Sequence, residues 1–313
     1  MIIEAPSSEL RVVTPVAITD AMLASSSIPE TDYTAWNAGT IYAAGTRVRV
    51  VATNRHEVYE SLQASNTGRD PTLPANAAWW ALVGPTNRWA MFDASGGTVS
   101  TAAASIDVQL TPGRIDTLAL LDVDAATARV RMSTVADGTF FDQTYTLTGA
   151  TDAVSDWWEY FYAPIGQQRT LVVPNLASIS DATVRVTLER ASGNVGLGTL
   201  VVGQSASIGV VQAGVRPGIV DFSVKNTDTF GRTTLTQRAF AKRTDMSVIV
   251  ERARVDAVIN RLTSLRATLA LWSVGGAGTR YDALQVYGWF KDFDVTISSP
   301  TYSALSIQIE GIA

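Results

Sequence analysis

The sequence predicts a mainly β protein with one helix: a small three-stranded aromatic module, a β-sandwich or jelly roll, and a C-terminal α+β unit. Short runs of alternating apolar and polar residues recur along most of the 313 residues, separated by turn-forming clusters. Only one stretch, 251–267, places its apolar residues at helical spacing. Hydrophobic residues make up 46% of the chain, enough for more than one core, so we expect two or three domains.

Residues 1–31 are expected to form an N-terminal arm that packs on another part of the structure. Their one alternating run, Leu10–Ile18, is broken by Pro15 and is too short to build a core alone. Thr19 and Asp20 could cap a short helix, and Ser25–Ser27 then reads as a linker.

Residues 32–86 are expected to form a very small β-module held together by stacked aromatic rings. Three runs alternate between turns, at Thr40–Tyr42, Arg47–Val51 and Glu57–Leu62. The large apolar anchors of the stretch are few: Trp36, Tyr42, Val48, Val50, Val58, Tyr59, Trp79 and Trp80.

The order of residues in this module resembles the small chitin- and cellulose-binding modules of bacterial chitinases and their copies in phage tail proteins. The matching positions are Ala35-Trp36, Thr40-Ile41-Tyr42, Gly45 with Val48, Tyr59, Asn66 with Gly68 and Pro71, and Trp80 with Val83. The resemblance implies a host-surface polysaccharide as partner, with Trp36, Tyr42 and Trp79 as candidate carbohydrate-binding residues. Leu62-Gln63 replaces the tandem tryptophan of the sugar-binding members, so we expect weak binding, if any.

Residues 87–214 are expected to form the sandwich or jelly roll. Eight short strand-like runs follow one another: Ser105–Leu110, Thr117–Leu121, Arg129–Met132, Gln143–Leu147, Trp157–Phe161, Thr170–Val173, Thr183–Leu188 and Gly198–Val202. The arrangement resembles the galactose-binding-like jelly roll. It also resembles phage tail proteins in which segments like Asn87–Asp93 and Val195–Gly203 bracket such a domain.

Residues 215–313 are expected to form an α+β assembly domain, with one helix over Glu251–Ala267 lying across several strands. The region resembles the strand–helix–strand units with which phage tail-tube and baseplate proteins join rings. We expect the assembly interface here, at Arg254, Arg261, Trp289 and Phe290, because interfaces favour aromatic residues and arginine. A solvated face is the alternative interpretation of the arginines.

Charge and composition exclude several function classes. The net charge is −5, which argues against a nucleic-acid partner, because phosphate contacts need a basic face. Residues 1–214 hold 12 basic and 20 acidic side chains, whereas residues 215–313 hold 12 and 9. Either this difference in charge between the two parts of the chain arises by chance, or the two parts contact different neighbouring molecules. The absence of cysteine excludes disulfides, thiolate nucleophiles and cysteine-bound zinc.

Neither a secretory signal nor membrane insertion is expected. The first residues have no basic segment followed by a long apolar one. The uncharged stretch Gly196–Gly214 contains five glycines and several polar residues and alternates, which favours paired strands over a membrane helix.

No catalytic residue, metal site or cofactor is predicted. His56 is the single histidine, and a surface or half-buried structural role is its expected one. Two acidic clusters could serve glycoside hydrolysis, bind calcium or be solvated turn residues: Asp116, Asp122 and Asp124, and Asp152, Asp156 and Glu159. Alternation along the aromatic run Trp157–Tyr162 places one set of side chains in the core, and the other set is expected to be an interface patch or a glycan platform.

The sequence therefore predicts a non-enzymatic structural component of a phage tail tip or baseplate that carries a glycan-binding-like module. Its expected partners are other tail or baseplate proteins, in a homo-oligomeric ring or trimer. It would be made in the host cytoplasm and located in the tail of the virion. The alternative is a bacterial glycan-binding, lectin-like protein or a non-catalytic part of a glycoside hydrolase.

Overall fold

The computed structural model describes residues 9–94, 96–148, 167–275, 282–297 and 299–312. The mainly β prediction is confirmed, because strands dominate and a single α-helix, α1 (Val255–Ser264), lies within the described residues. The strands in chain order are β1 (Glu9–Pro15), β2 (Leu23–Ser26), β3 (Thr34–Ala35), β4 (Arg47–Ala52), β5 (Arg55–Ser61), β6 (Trp80–Pro85), β7 (Ser100–Leu110), β8 (Thr117–Asp124), β9 (Thr127–Thr134), β10 (Gly138–Thr146), β11 (Thr170–Val173), β12 (Thr183–Val211), β13 (Arg216–Asp221), β14 (Val224–Thr227), β15 (Thr233–Thr236), β16 (Phe240–Glu251), β17 (Ala270–Val274), β18 (Gln285–Thr296) and β19 (Tyr302–Gly311).

The small module is a sheet of four strands in the order β3-β4-β5-β6. Its core consists of Tyr42, Val48, Tyr59 and Trp80, as the aromatic anchors predict. The expected strand at Thr40–Tyr42 is wrong. Tyr42 makes only an isolated bridge to the loop residue Asn66, and β3 takes the outer position by pairing in parallel with β4.

The sandwich is built around the first two thirds of β12. This strand pairs with β7 along one edge and β9 along the other, and then continues alongside β8. Alternate residues of these strands point into one large apolar core. The core includes Ile106, Leu118, Val130, Leu188 and Leu197, all fully buried.

The last third of β12 enters a second body, in which six strands close on themselves. β12 pairs with β1, and the order continues through β17, β18, β19 and β16, which returns to β12 at Val210 and Val211. The result is a closed barrel without free edges between these strands. Leu10 and Val12 of β1 lie in its core, so the segment expected as an N-terminal arm supplies a central strand.

Helix α1 covers the core of this barrel with one apolar face. Val255, Val258 and Leu262 are buried, one turn apart, and Leu265 follows directly after the helix. A 3-10 turn, Arg252–Arg254, precedes it. The expected helix over Glu251–Ala267 therefore exists but is shorter at both ends, as is usual for boundaries predicted from apolar spacing alone.

Strands β13, β14 and β15 form a projection that we call the arm, residues 215–240. β13 pairs with β16 at the rim of the barrel, and β14 pairs only with β15. From Arg216 to Phe240 every residue except Val220 is exposed. The arm thus extends from the barrel without being covered by the described part of the chain.

Candidate functional site

The structure does not bring the three candidate sugar-binding residues together on an open surface. Tyr42 is only 6% exposed, and its ring packs edge-on against Trp80 at 5.3 Å. Its hydroxyl accepts a hydrogen bond from the backbone N–H of Asn37 at 2.7 Å and donates one to the Asn37 carbonyl at 3.2 Å. Tyr42 is therefore a core residue, which corrects its predicted role at the surface.

Trp36 and Trp79 are half-buried and pack against the core of the module. The guanidinium of Arg69 lies over the Trp79 ring, 3.7 Å from its centre, and occupies one face of it. The indole N–H of Trp36 is buried without a hydrogen-bond partner. Of the three predicted rings, Trp36 is neither a core residue like Tyr42 nor covered on one face by a cation like Trp79. It is therefore the best remaining candidate for stacking on a sugar, but a single ring does not provide several stacking surfaces in a row.

His56, expected to be a surface or half-buried residue, lies at the centre of a contact between the module and the body. Its side chain is 11% exposed, and its ring stacks on Trp89 with 4.1 Å between centres. Nε2 lies 2.6 Å from Asp20 Oδ1, and Nδ1 lies 2.8 Å from Glu30 Oε1. Both ring nitrogens therefore face carboxylate oxygens at hydrogen-bonding distance. We call these four residues the histidine clasp.

Further hydrogen bonds fix the two carboxylates of the clasp. Asp20 and Asn54 bond reciprocally, each backbone N–H donating to the other's side chain at 3.1 and 3.0 Å. The Thr86 hydroxyl donates to Glu30 Oε1 at 2.7 Å. The Asn54 N–H, and next the His56 ring, hold the pKa of Asp20 below its ordinary value. Sequence reasoning missed this site, because its members are distant in the chain and belong to no motif.

The described acidic cluster is used structurally. Asp116 accepts hydrogen bonds from the backbone and hydroxyl of Ser205 at 2.7 and 3.1 Å. Asp122 pairs with Arg169 at 2.8 Å, and Asp124 pairs with Arg190. The hydrogen bond from Arg190 lowers the pKa of Asp124. The second acidic cluster and the run Trp157–Tyr162 lie outside the described residues.

A cleft of about 540 Å³ lies where the sandwich meets the barrel. Leu121, Phe240 and Tyr287 contribute apolar surface to it, and burial raises the pKa of Tyr287. Asp122, already paired with Arg169, is the one carboxylate among its described lining residues. The described lining of the cleft therefore holds no facing pair of carboxylates of the kind that glycoside hydrolysis uses. No group of three or more metal-ligand side chains occurs within the described ranges.

The four predicted assembly residues occupy three different environments. Arg254 and Arg261 are exposed, and Arg254 Nη2 donates to the Ser207 carbonyl at 3.0 Å. Trp289 is 39% exposed. Phe290 is only 8% exposed and packs edge-on against Trp272 and Phe293. Phe290 belongs to the barrel core, because its position on β18 faces inward, and it is removed from the predicted surface.

The arm carries a larger apolar surface than any of these residues. Its exposed large hydrophobic side chains are Ile219, Phe222, Val224, Phe230, Leu235 and Phe240. Phe230 sits at the tip and is 88% exposed. Oδ1 of Asp228 accepts hydrogen bonds from the backbone N–H groups of Phe230 and Arg232 at 2.9 and 2.8 Å, and Gly231 has a φ of 78°. The tip is therefore a formed turn that holds Phe230 outward.

Neither the models of known protein families nor the curated proteins contain a match to the chain. Among the described residues, no helix has the length and apolar character needed to cross a membrane.

Proposed function

We propose that the chain is a structural subunit of a phage tail tip or baseplate and carries its small module toward the host surface. The observation that supports this most directly is the arm, which leaves six large apolar side chains on one projection. An exposed apolar surface of this kind is typical of a protein that is completed by a partner. Other tail or baseplate proteins and further copies of the chain, in a ring or trimer, are the proposed partners.

The resemblance of residues 32–86 to modules that occur in phage tail proteins supports the tail over other assemblies. In this proposal the chain is made in the host cytoplasm and resides in the virion tail. Arg254, Arg261 and Trp289 are exposed on the barrel and are available for contacts with neighbouring proteins.

The test is to locate the chain in purified particles. Particles from a lysate of the producing strain would be separated by density, analysed by mass spectrometry, and labelled with an antibody against residues 32–86. We expect the chain in the particle fraction, with label at one end of the tail. Absence of the chain from intact particles, with its accumulation in the soluble fraction, would refute the proposed function.

Sugar binding by the module is proposed to be weak. Tyr42 is in the core and one face of Trp79 is occupied, so Trp36 remains as the main stacking surface. One stacked ring contributes roughly 1 kcal/mol beyond the area that it buries, whereas a millimolar dissociation constant requires about 4 kcal/mol, so we expect affinity no tighter than millimolar.

Calorimetry with soluble chitin oligomers measures this affinity, and the variants Trp36→Ala and Trp79→Ala assign it. We expect at most millimolar binding that Trp36→Ala reduces further. Micromolar binding by the wild type would favour the alternative function, a lectin-like glycan-binding protein.

A further inference from the structure

We propose that the arm, residues 215–240, docks on the body of a second copy of this chain. The inference deepens the proposed function by naming the partner, and it rests on that function only for the assembly in which the contact occurs. It is drawn from the exposure, strand pairing and charge of the arm.

The arm has a defined structure in the single chain, but only its base is paired with the barrel. Its base is fixed by six β13–β16 pairs, from Arg216 opposite Asp245 to Asp221 opposite Phe240. Beyond the base, β14 and β15 pair only with each other, and their outer edges have no partner strand in the described chain. A two-stranded hairpin is marginally stable alone in water, and free strand edges pair readily with another strand. The hairpin is therefore suited to gaining stability from a docking surface.

The size of the arm matches one side of a protein interface. It spans 26 residues, and a specific interface of standard size uses about 20–30 residues on each side. Phe222, Phe230 and Phe240 are exposed on it, and aromatic residues concentrate binding energy in such contacts. Phe230, at the tip of the hairpin, belongs to none of the cores formed by the described residues, whereas Phe240 at the base of the arm also lines the cleft between sandwich and barrel.

Charge selects the body of another copy as the docking surface. The arm holds four basic and two acidic side chains, a net charge of +2, while the whole chain carries −5, so the remainder carries −7. Two arms would repel each other, whereas an arm and the body of another copy attract. Two copies that exchange arms form a two-fold dimer, whereas arms passed from each copy to the next make a heterologous contact that generates a closed ring or an open filament.

Sedimentation velocity of the full-length protein over a concentration series tests the inference. The double variant Phe230→Ser/Leu235→Ser removes two exposed apolar side chains at the tip and in β15. We expect the wild type to self-associate and the variant to have a dissociation constant raised about 30-fold or more. Because the association is partly electrostatic, it should also weaken as salt is raised.

Val135→Ser is the matched control, because Val135 is an equally exposed apolar residue in the turn between β9 and β10. It should associate like the wild type. Circular dichroism and thermal unfolding of all three proteins establish that the body remains folded. A wild type that stays monomeric at every concentration overturns the inference and leaves the arm to a different protein. Association that the double variant does not change overturns it as well.

The absence of cysteine allows the contact to be mapped directly. Phe230→Cys introduces one thiol at the tip, to which a photo-crosslinker is attached, and mass spectrometry identifies the residues captured on the second chain. Crosslinks to residues outside 215–240 are expected, and crosslinks confined to the arm of the second copy overturn the assignment to the body. Failure here and failure of the proposed function are separable. If the chain is present in particles but monomeric in solution, only the inference is refuted. If the chain self-associates but is absent from particles, only the proposed function is refuted.

Discussion

His56 shows how much one side chain can contribute when its partners come from separate segments. Its ring lies on Trp89 of the body, and its two nitrogens bond to Asp20 and Glu30, while its backbone belongs to β5 of the small module. The arrangement thus joins three stretches of chain through one imidazole. Neither the spacing nor the type of these residues indicates this in the sequence, because the contacts span 26 and 36 positions.

Replacing His56 by Gln should destabilise the protein by about 3 kcal/mol, because Asp20 and Glu30 lose the ring nitrogens that they contact and Trp89 loses its stacked ring. Urea unfolding at neutral pH, monitored by tryptophan fluorescence, measures the loss. Arg55→Gln is the control. Arg55 precedes His56 in the chain but its side chain is 43% exposed, so its replacement should lower the stability only slightly. Equal stability of the two variants would contradict the structural role of the clasp.

Asp20 makes the stability that the histidine clasp contributes depend on pH. Its pKa is lowered in the folded protein from the ordinary value of 3.8, so the carboxylate stabilises the fold above that pH. The contribution is lost as the pH falls through the lower, folded-state pKa. We therefore expect the stability difference between wild type and Asp20→Asn to be full at neutral pH and to shrink below about pH 4. Thermal unfolding from pH 7 to pH 2.5 measures it, and a difference that stays constant across this range would contradict the assignment.

At the scale of elements, three glycines let strands of the barrel approach closely. A Cβ on Gly203 would lie 2.1 Å from the carbonyl oxygen of Thr14, and one on Gly288 would lie 2.1 Å from that of Glu310. Gly209 is similarly close to the Ile249 carbonyl. These contacts are to backbone atoms, so the strands themselves would have to move to admit a side chain.

Gly288→Ala should accordingly destabilise the barrel by about 3 kcal/mol, at the upper end of the cost of overpacking a core. Gly218→Ala, in β13, is the control, because a Cβ there meets nothing within 4 Å. Chemical unfolding of both variants and the wild type compares them. If Gly218→Ala costs as much as Gly288→Ala, the effect belongs to strand propensity and not to close packing.

The elements also show why part of the fold was predictable from sequence. Helix α1 follows from apolar residues at local spacing, and the core of the small module follows from its few aromatic anchors. The neighbours of β1 do not follow, because β12 and β17 lie about 200 or more residues away in the chain. The exposure of the arm is equally hidden, since Phe222 and Val224 alternate with polar residues as in a covered strand, and only the three-dimensional arrangement leaves them bare.

At the scale of the whole molecule, the small module should be separable from the body. It has its own core of Tyr42, Val48, Tyr59 and Trp80, and its described contacts with the body are concentrated at the clasp and at Asn87, whose N–H donates to Asp32 at 3.0 Å. A polypeptide of residues 32–86 should fold alone, with a cooperative thermal transition and dispersed amide resonances. Deleting the same residues should leave the remainder soluble. Aggregation of the remainder would show that the body needs the module to cover its surface around Trp89.

Strand β12 has a mechanical consequence for such a molecule. Its 29 residues run from the core of the sandwich into the wall of the barrel, with one irregularity in the pairing with β7 between Glu189 and Asn194, so the two bodies share one length of backbone. A pull applied to the barrel reaches the sandwich through covalent bonds, and the rows of hydrogen bonds along β12 resist it together in shear. The two bodies should therefore yield to force as one unit, with a stiffness that two domains joined by a flexible linker do not have.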